Sequence, residues 1–157
     1  MDIGIVVHSQ TGHTHSVAEK LREKLATAGH TVTLERLEAE GEVRPGVKDV
    51  RLKSVPNVEA YDAIVFGSPV HGFALALAMQ AYLRQVPSLA GKRAACFVTQ
   101  SFPFAWMGGD RALRQMTRAC QAKGATICGV GVVNWSRRSR EQQIAAMVDR
   151  LSRHLPS

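Results

Sequence analysis

The sequence lacks several signatures that would fix its class at once. There is no G-x-x-x-x-G-K-[ST], which excludes a Walker loop, and no G-x-G-x-x-G after the first apolar run, which excludes the dinucleotide fingerprint. No apolar run approaches the ~20 residues of a membrane span, so none is expected. Cysteine is scarce: Cys96, Cys120 and Cys128 are odd in number, apolar in setting and without C-x-x-C spacing. They read as reduced core thiols. Met1-Asp2-Ile3 runs into a strand with no basic region or cleavage site, and the expectation is a cytoplasmic protein. Acid is in deficit, with 13 Asp+Glu against 20 Lys+Arg, a formal net charge of +7. That excess suits an acidic partner, a polyanion or simple solubility.

What is present is an alternation of apolar strands and amphipathic helices over 157 residues, enough for one domain with a core, expected to span 1–157. Ile3 to Val7 reads as a buried strand. Val17, Ala18, Leu21, Leu25 and Ala28 fall on one helix face, with Gly29 as its C-terminal stop. Thr31 to Leu37 alternates and reads as a half-exposed edge strand. Residues 38–60, with Pro45-Gly46 and Pro56, read as a loop with room for a short strand or turn. Ala63 to Gly67 is a second buried strand, followed by a helical stripe of Leu75, Ala78, Met79, Tyr82, Leu83 and Val86. The strand Ala94 to Thr99, a helix through Leu113, Met116, Thr117 and Cys120, and the strand Thr126 to Val133 come next. Ser139 with Gln142 forms a capping-box start for a last helix carrying Ile144, Met147, Val148, Leu151 and Leu155. Five strands alternating with helices predict a doubly wound α/β parallel sheet, whose ligands bind beyond the carboxyl ends of the strands.

That rule selects three loops. Ser9-Gln10-Thr11-Gly12-His13-Thr14 lies where the first strand meets the first helix. Helix-terminal N–H groups and hydroxyls there suit a phosphate, and Gly12 admits close approach. The stretch holds neither lysine nor arginine, which suits a buried monoester better than a triphosphate with its metal; no metal is expected. An N-cap cluster is the plainer alternative. Ser68-Pro69-Val70-His71-Gly72-Phe73 follows the second buried strand, and Thr99-Gln100-Ser101-Phe102-Pro103-Phe104-Ala105-Trp106 follows the third. The last holds three of nine aromatics, a wall for a planar ring or a plug against the core.

A phosphate loop beside a planar-ring wall describes FMN, and here the chain resembles the flavodoxin family. Ser9–Thr14 matches that family's [ST]-x-T-G-x-T, and Tyr61-Asp62-Ala63-Ile64-Val65-Phe66-Gly67-Ser68-Pro69 looks like its third strand and flavin loop. The strand after Gly124 lacks the insertion of long-chain members, so the likeness is to a short-chain form. The resemblance implies a five-stranded sheet of order 2-1-3-4-5. It implies FMN phosphate held by Ser9, Gln10, Thr11, Gly12, His13 and Thr14, and the ring against Ser68, Pro69, Val70, His71, Gly72, Phe73, Thr99, Gln100, Ser101, Phe102 and Trp106. It also implies redox chemistry carried by the flavin. No catalytic residue is assigned; His71 is the candidate to lie against the ring or pass a proton beside it.

The chain departs from the electron carriers of that family. It is basic where they are acidic, and its third loop has Phe102, Phe104 and Trp106 in place of acids and a tyrosine. Arg111, Arg114 and Arg118 recur at i, i+3 and i+7 on the next helix, either a solvated face or a dock for an acidic protein or NAD(P)H. An electron carrier served by a redox partner protein and a small NAD(P)H-dependent quinone or flavin reductase both fit, as monomer or homodimer. A receiver domain does not, because His8-Ser9 and Gly67 stand where it needs acids. The alternative outside redox chemistry is a regulatory binding module recognising an anionic partner; nucleic acid is not an expected ligand.

Overall fold

A computed structural model describes residues 1–8, 12–40, 50–102, 104 and 106–156. Strand β1 (Asp2–His8) leads to helix α1 (His13–Thr27), then β2 (Thr31–Leu37). β3 (Ala63–His71) turns back into a short β4 (Ala74–Leu75) before α2 (Leu77–Gln85). β5 (Arg93–Gln100), α3 (Gly109–Ala122), β6 (Thr126–Asn134) and α4 (Arg140–His154) complete the order. The main sheet runs β2-β1-β3-β5-β6, all parallel, with β4 pairing antiparallel to β3 off its end. Counting parallel strands alone, this is the expected 2-1-3-4-5.

The central strands β1, β3 and β5 are apolar on both faces because both faces are covered. Val6, Ile64, Phe66, Cys96 and Val98 pack with Met79, Tyr82, Leu83 and Met116 of α2 and α3. Ile5, Val7, Val65, Phe97 and Val133 pack with Val17, Leu21, Ile144, Met147 and Leu151 of α1 and α4. Burying each such side chain is worth about 1.5–3 kcal/mol, so alternation of the two faces along every strand fixes the register. Gly67 is required inside this layer, since a Cβ there would collide with the Phe97 ring. All three cysteines are free thiols. Among the described residues no helix is long and apolar enough to cross a membrane.

Several local expectations change. Ala28 is exposed and caps α1 instead of joining its buried face. Leu75 belongs to β4 and Val86 to the C-cap of α2, though both are buried as the stripe implied. Within 38–60, the described part shows a single antiparallel bridge, Ala39 with Leu52. Ser139 caps α4 without a capping box: its hydroxyl accepts from the Gln143 side-chain amide (2.9 Å), one residue beyond Gln142.

Candidate functional site

β1, β3 and β5 are neighbours in the sheet, so the end of β1, the segment 68–75 and the end of β5 lie at one end of the molecule, where Thr14 at the start of α1 also reaches Thr99. Chain order reverses across the β1–β3 boundary, where ligands of such sheets bind.

Ser9, Gln10 and Thr11 lie outside the described residues. Gly12, just after them, takes the left-handed conformation (φ 89°) as the N-cap of α1, and its carbonyl accepts from the Ser16 N–H at 2.9 Å. The first turn of α1 carries no acid to oppose an anion. Thr14 is buried, and its hydroxyl pairs with that of Thr99 at 2.9 Å, tying the helix start to the end of β5. His13 stacks on Trp135 (centroids 4.0 Å, planes 9° apart), and the Arg140 guanidinium lies 4.8 Å over that indole. The structure thus brings from α4 a cation to a loop whose own sequence has none.

The second segment is more strand than loop. β3 continues through Ser68, Pro69, Val70 and His71, and Gly72 (φ 56°) and Phe73 (φ 62°) make the two-residue turn into β4. Positive φ at both central positions matches the twist of a hairpin. For a bulky residue such as Phe73 it is a strained conformation, costing about 1–3 kcal/mol, of the kind that persists where surroundings impose it. Those surroundings are present: the Leu75 N–H donates to Gln115 Oε1 (2.9 Å) on α3, and Gly108 (φ 114°) packs so closely that a Cβ would stand 2.7 Å from Phe73 Cα. The fully buried Ser68 hydroxyl donates to the Pro69 carbonyl (3.0 Å), so it spends its hydrogen within its own strand.

The third segment begins inside β5, where Thr99 and Gln100 are buried. The Gln100 amide donates to the Phe104 carbonyl and to Asn134 Oδ1, both at 2.6 Å, while its Oε1 is buried without a partner among the described residues. Asn134 is held in turn by Gln143 Oε1 (2.9 Å from its backbone N–H), a chain of amides from β5 through β6 to α4. Ser101 is exposed. The aromatics face outward in two stacked pairs, Phe73 on Phe102 (4.9 Å) and Phe104 beside Trp106 (6.0 Å), with Arg137 5.4 Å over Phe104. Trp106 is 74% exposed. This is a wall open to solvent, not a core plug. Phe73, Trp106, Met107, Gly108 and Arg111 line an open hollow beside it.

One feature escapes sequence reading, and a second is a count that the sequence itself carries. His8, the last residue of β1, is buried, its Nε2 without a partner among the described residues, and it meets the His71 ring edge-on at 6.2 Å. Burial holds the His8 imidazole below its ordinary value against the opposing pull of the Leu37 carbonyl, and burial followed by His8 does the same for His71. Second, the charge is segregated. Residues 94–140 hold seven Lys+Arg and one acid, Asp110, a net +6; the other 110 residues hold 13 and 12, a net +1. Arg111, Arg114, Arg118, Arg137 and Arg138 in that segment are exposed, three along α3 and two after β6.

The site fits FMN on its own terms. A helix start free of acid with a left-handed glycine suits a phosphate, the aromatic pairs suit a flat ring, and the bare polar atoms of His8 and Gln100 await partners at the same end.

Comparison with known proteins agrees. A family model described as a flavodoxin domain matches residues 4–102. No curated protein matches the chain. Among solved structures, oxidised flavodoxin 1 of Bacillus cereus is 14% identical with a TM-score of 0.72, covering 99% of this chain and 97% of that one. The two-electron reduced flavodoxin of Megasphaera elsdenii is 20% identical at 0.70, covering 96% and 98%. A WrbA-like flavodoxin from Agrobacterium tumefaciens is 17% identical at 0.71, covering 98% of each chain. At such identities the likeness is one of fold.

Proposed function

This chain belongs to the flavodoxin family, whose members bind FMN, and from that premise we propose that it is an FMN-dependent redox protein whose 157 residues form one such domain. The observation that carries the reading is the convergence, at the ends of β1, β3 and β5, of the Gly12 helix start, the His71–Phe73 hairpin and the aromatic wall. The flavin supplies the electron or hydride chemistry. The chain's own groups do the rest. Ser9–Thr14 would hold the phosphate at the α1 terminus. His71, Phe73, Phe102 and Trp106 would flank the ring, and the Thr14–Thr99 pair and the Gln100 amide keep the segments in register.

The charge segregation sets the partner and the electronics. Net positive charge over 94–140 attracts an acidic protein or an anionic small molecule to the open aromatic wall. The same potential stabilises negative charge on the reduced cofactor, which favours two-electron transfer. The open hollow bordered by Arg111 supports the reductase form of the reading, with NAD(P)H as donor and a quinone as acceptor. The absence of a spanning helix among the described residues is consistent with cytoplasmic work. Stopped-flow mixing of the FMN-loaded chain with NADPH and a quinone tests this. Rapid bleaching of the flavin followed by turnover supports the reductase; reduction only through a partner reductase supports the carrier. Nucleic-acid or polyanion binding with no retained flavin would move the chain to the regulatory alternative.

A further inference from the structure

His8 closes β1 and stands directly before the stretch 9–14. It is 4% exposed, and its Nδ1 lies 3.3 Å from the Leu37 carbonyl. A carbonyl can only accept, so Nδ1 carries the hydrogen, and in the neutral ring Nε2 presents a bare lone pair. That nitrogen is buried with no hydrogen-bond partner among the described residues, an unfavourable arrangement that a proton or a donor would relieve.

His8 shares the sheet face of Val6, opposite that of Val7 and α1. On this face β3 presents Phe66 and Ser68; His71 alternates with Val65 to the other face, yet its ring meets that of His8 edge-on at 6.2 Å. β2 presents Leu37 in register with His8 and, two residues earlier, Glu35, whose carboxylate accepts from the Tyr61 hydroxyl at 2.9 Å; Arg36 alternates to the other face. α2 presents Tyr82, whose hydroxyl donates to the Pro56 carbonyl and is pushed well above its ordinary value by burial. Among the described residues His71 is the titratable group in ring contact with His8, and a charge on His8 disfavours one on His71. Burial keeps both neutral near neutral pH. The adjoining loop, meant for a phosphate dianion, has no lysine or arginine.

We propose that the His8–His71 pair takes up one proton when the FMN phosphate occupies the neighbouring loop, so that cofactor binding is proton-linked. The proton comes from the buffer and bonds to the Nε2 lone pair; nothing is oxidised or reduced. The protonated pair supplies charge that the loop's own sequence lacks. FMN affinity then weakens as pH rises through the loaded-state value, by up to about tenfold per pH unit. This inference rests on the FMN reading above.

Calorimetric titration of the full flavin-free chain with FMN at pH 7.5, in two phosphate-free buffers of different ionisation enthalpy, counts the protons. At that pH a phosphate with its second pKa near ~6 is already mostly dianionic and contributes little. The expected count approaches one proton per FMN in the wild type. It falls by at least half in His8→Gln, whose amide donates but does not titrate, and by at least half with riboflavin, which lacks the phosphate. Equal counts for wild type and His8→Gln, or for FMN and riboflavin, overturn the proposal. If His8→Gln fails to fold by circular dichroism, ring resonances of labelled wild-type His8 decide: movement to the protonated form on adding FMN supports the proposal, and no movement overturns it. Absence of any FMN heat refutes the cofactor reading itself, and this inference with it. That outcome is distinct from heat without proton uptake.

Discussion

Replacing Thr14 and Thr99 with valine, singly and together, probes the joint that holds the phosphate-loop helix to the cofactor end of β5. The two hydroxyls meet at 2.9 Å, and the residues are 1% and 3% exposed. Valine keeps the shape and removes only the hydroxyl. Thr14→Val leaves the Thr99 hydroxyl buried without its partner, and Thr99→Val does the reverse. An unsatisfied buried hydroxyl costs about 1–3 kcal/mol, so each single variant should lose that much. The double variant replaces both partners with apolar groups of matching shape, and its loss should fall short of the sum of the singles by about 1–2 kcal/mol. Urea unfolding of the flavin-free chain at pH 7.5 reads all four corners of the cycle. Losses that add within about 0.3 kcal/mol would show that the hydroxyls do not act as a pair, and the account of how the loops are held in register would be wrong.

Other expectations follow from the same geometry. Gly67→Ala drives a methyl group into the Phe97 ring and should cost about 1–3 kcal/mol by overpacking, read as a lower urea midpoint at unchanged m-value. The flavin-free chain should lose stability as pH falls from 6.5 toward the depressed folded-state value of His8. In that window the unfolded chain binds a proton that the buried ring refuses, giving a slope of up to about 1.4 kcal/mol per pH unit, flattened in His8→Gln; half-exposed His71 adds less. Midpoints measured between pH 7.5 and 5.5 check this, and an unchanged slope in the variant would contradict it. Arg111→Gln with Arg114→Gln should slow the loaded protein's reaction with a quinone sulfonate several-fold while sparing a neutral quinone, the difference shrinking in high salt.

Much of this was legible in the sequence because it rests on short-range physics. Ile3–Val7 and Ala63–Gly67 announce strands buried on both faces, and the Leu21 and Met147 faces of their helices follow a 3.6-residue period that the core enforces. Gly12 and Gly29 stand where positive φ is needed. The strand-to-hairpin conversion at Ser68–Leu75 was not legible. Gly72-Phe73 carries a side chain that disfavours the turn it makes, and the turn is imposed by Gly108 and Gln115 from α3, more than 30 residues away. The His13–Trp135–Arg140 stack and the Gln100–Asn134–Gln143 amide chain escaped for the same reason, since each joins segments that only the sheet order makes neighbours. Thr14 is marked by the motif only as a candidate phosphate ligand. Its bond to Thr99 adds a structural task that no local pattern encodes. The basic excess was legible both as a sum and as its concentration within residues 94–140.

The central claim is that this chain holds FMN through the loop 9–14 and the hairpin and aromatic wall beside it. The most direct measurement is the visible absorption spectrum of the full chain after loading with FMN and gel filtration, in wild type and in Thr11→Val with Thr14→Val. The account predicts two retained flavin bands at about one FMN per chain in wild type, and their loss in a double variant that remains folded. A wild-type chain that emerges colourless, or a folded double variant that keeps its flavin undiminished, would contradict it.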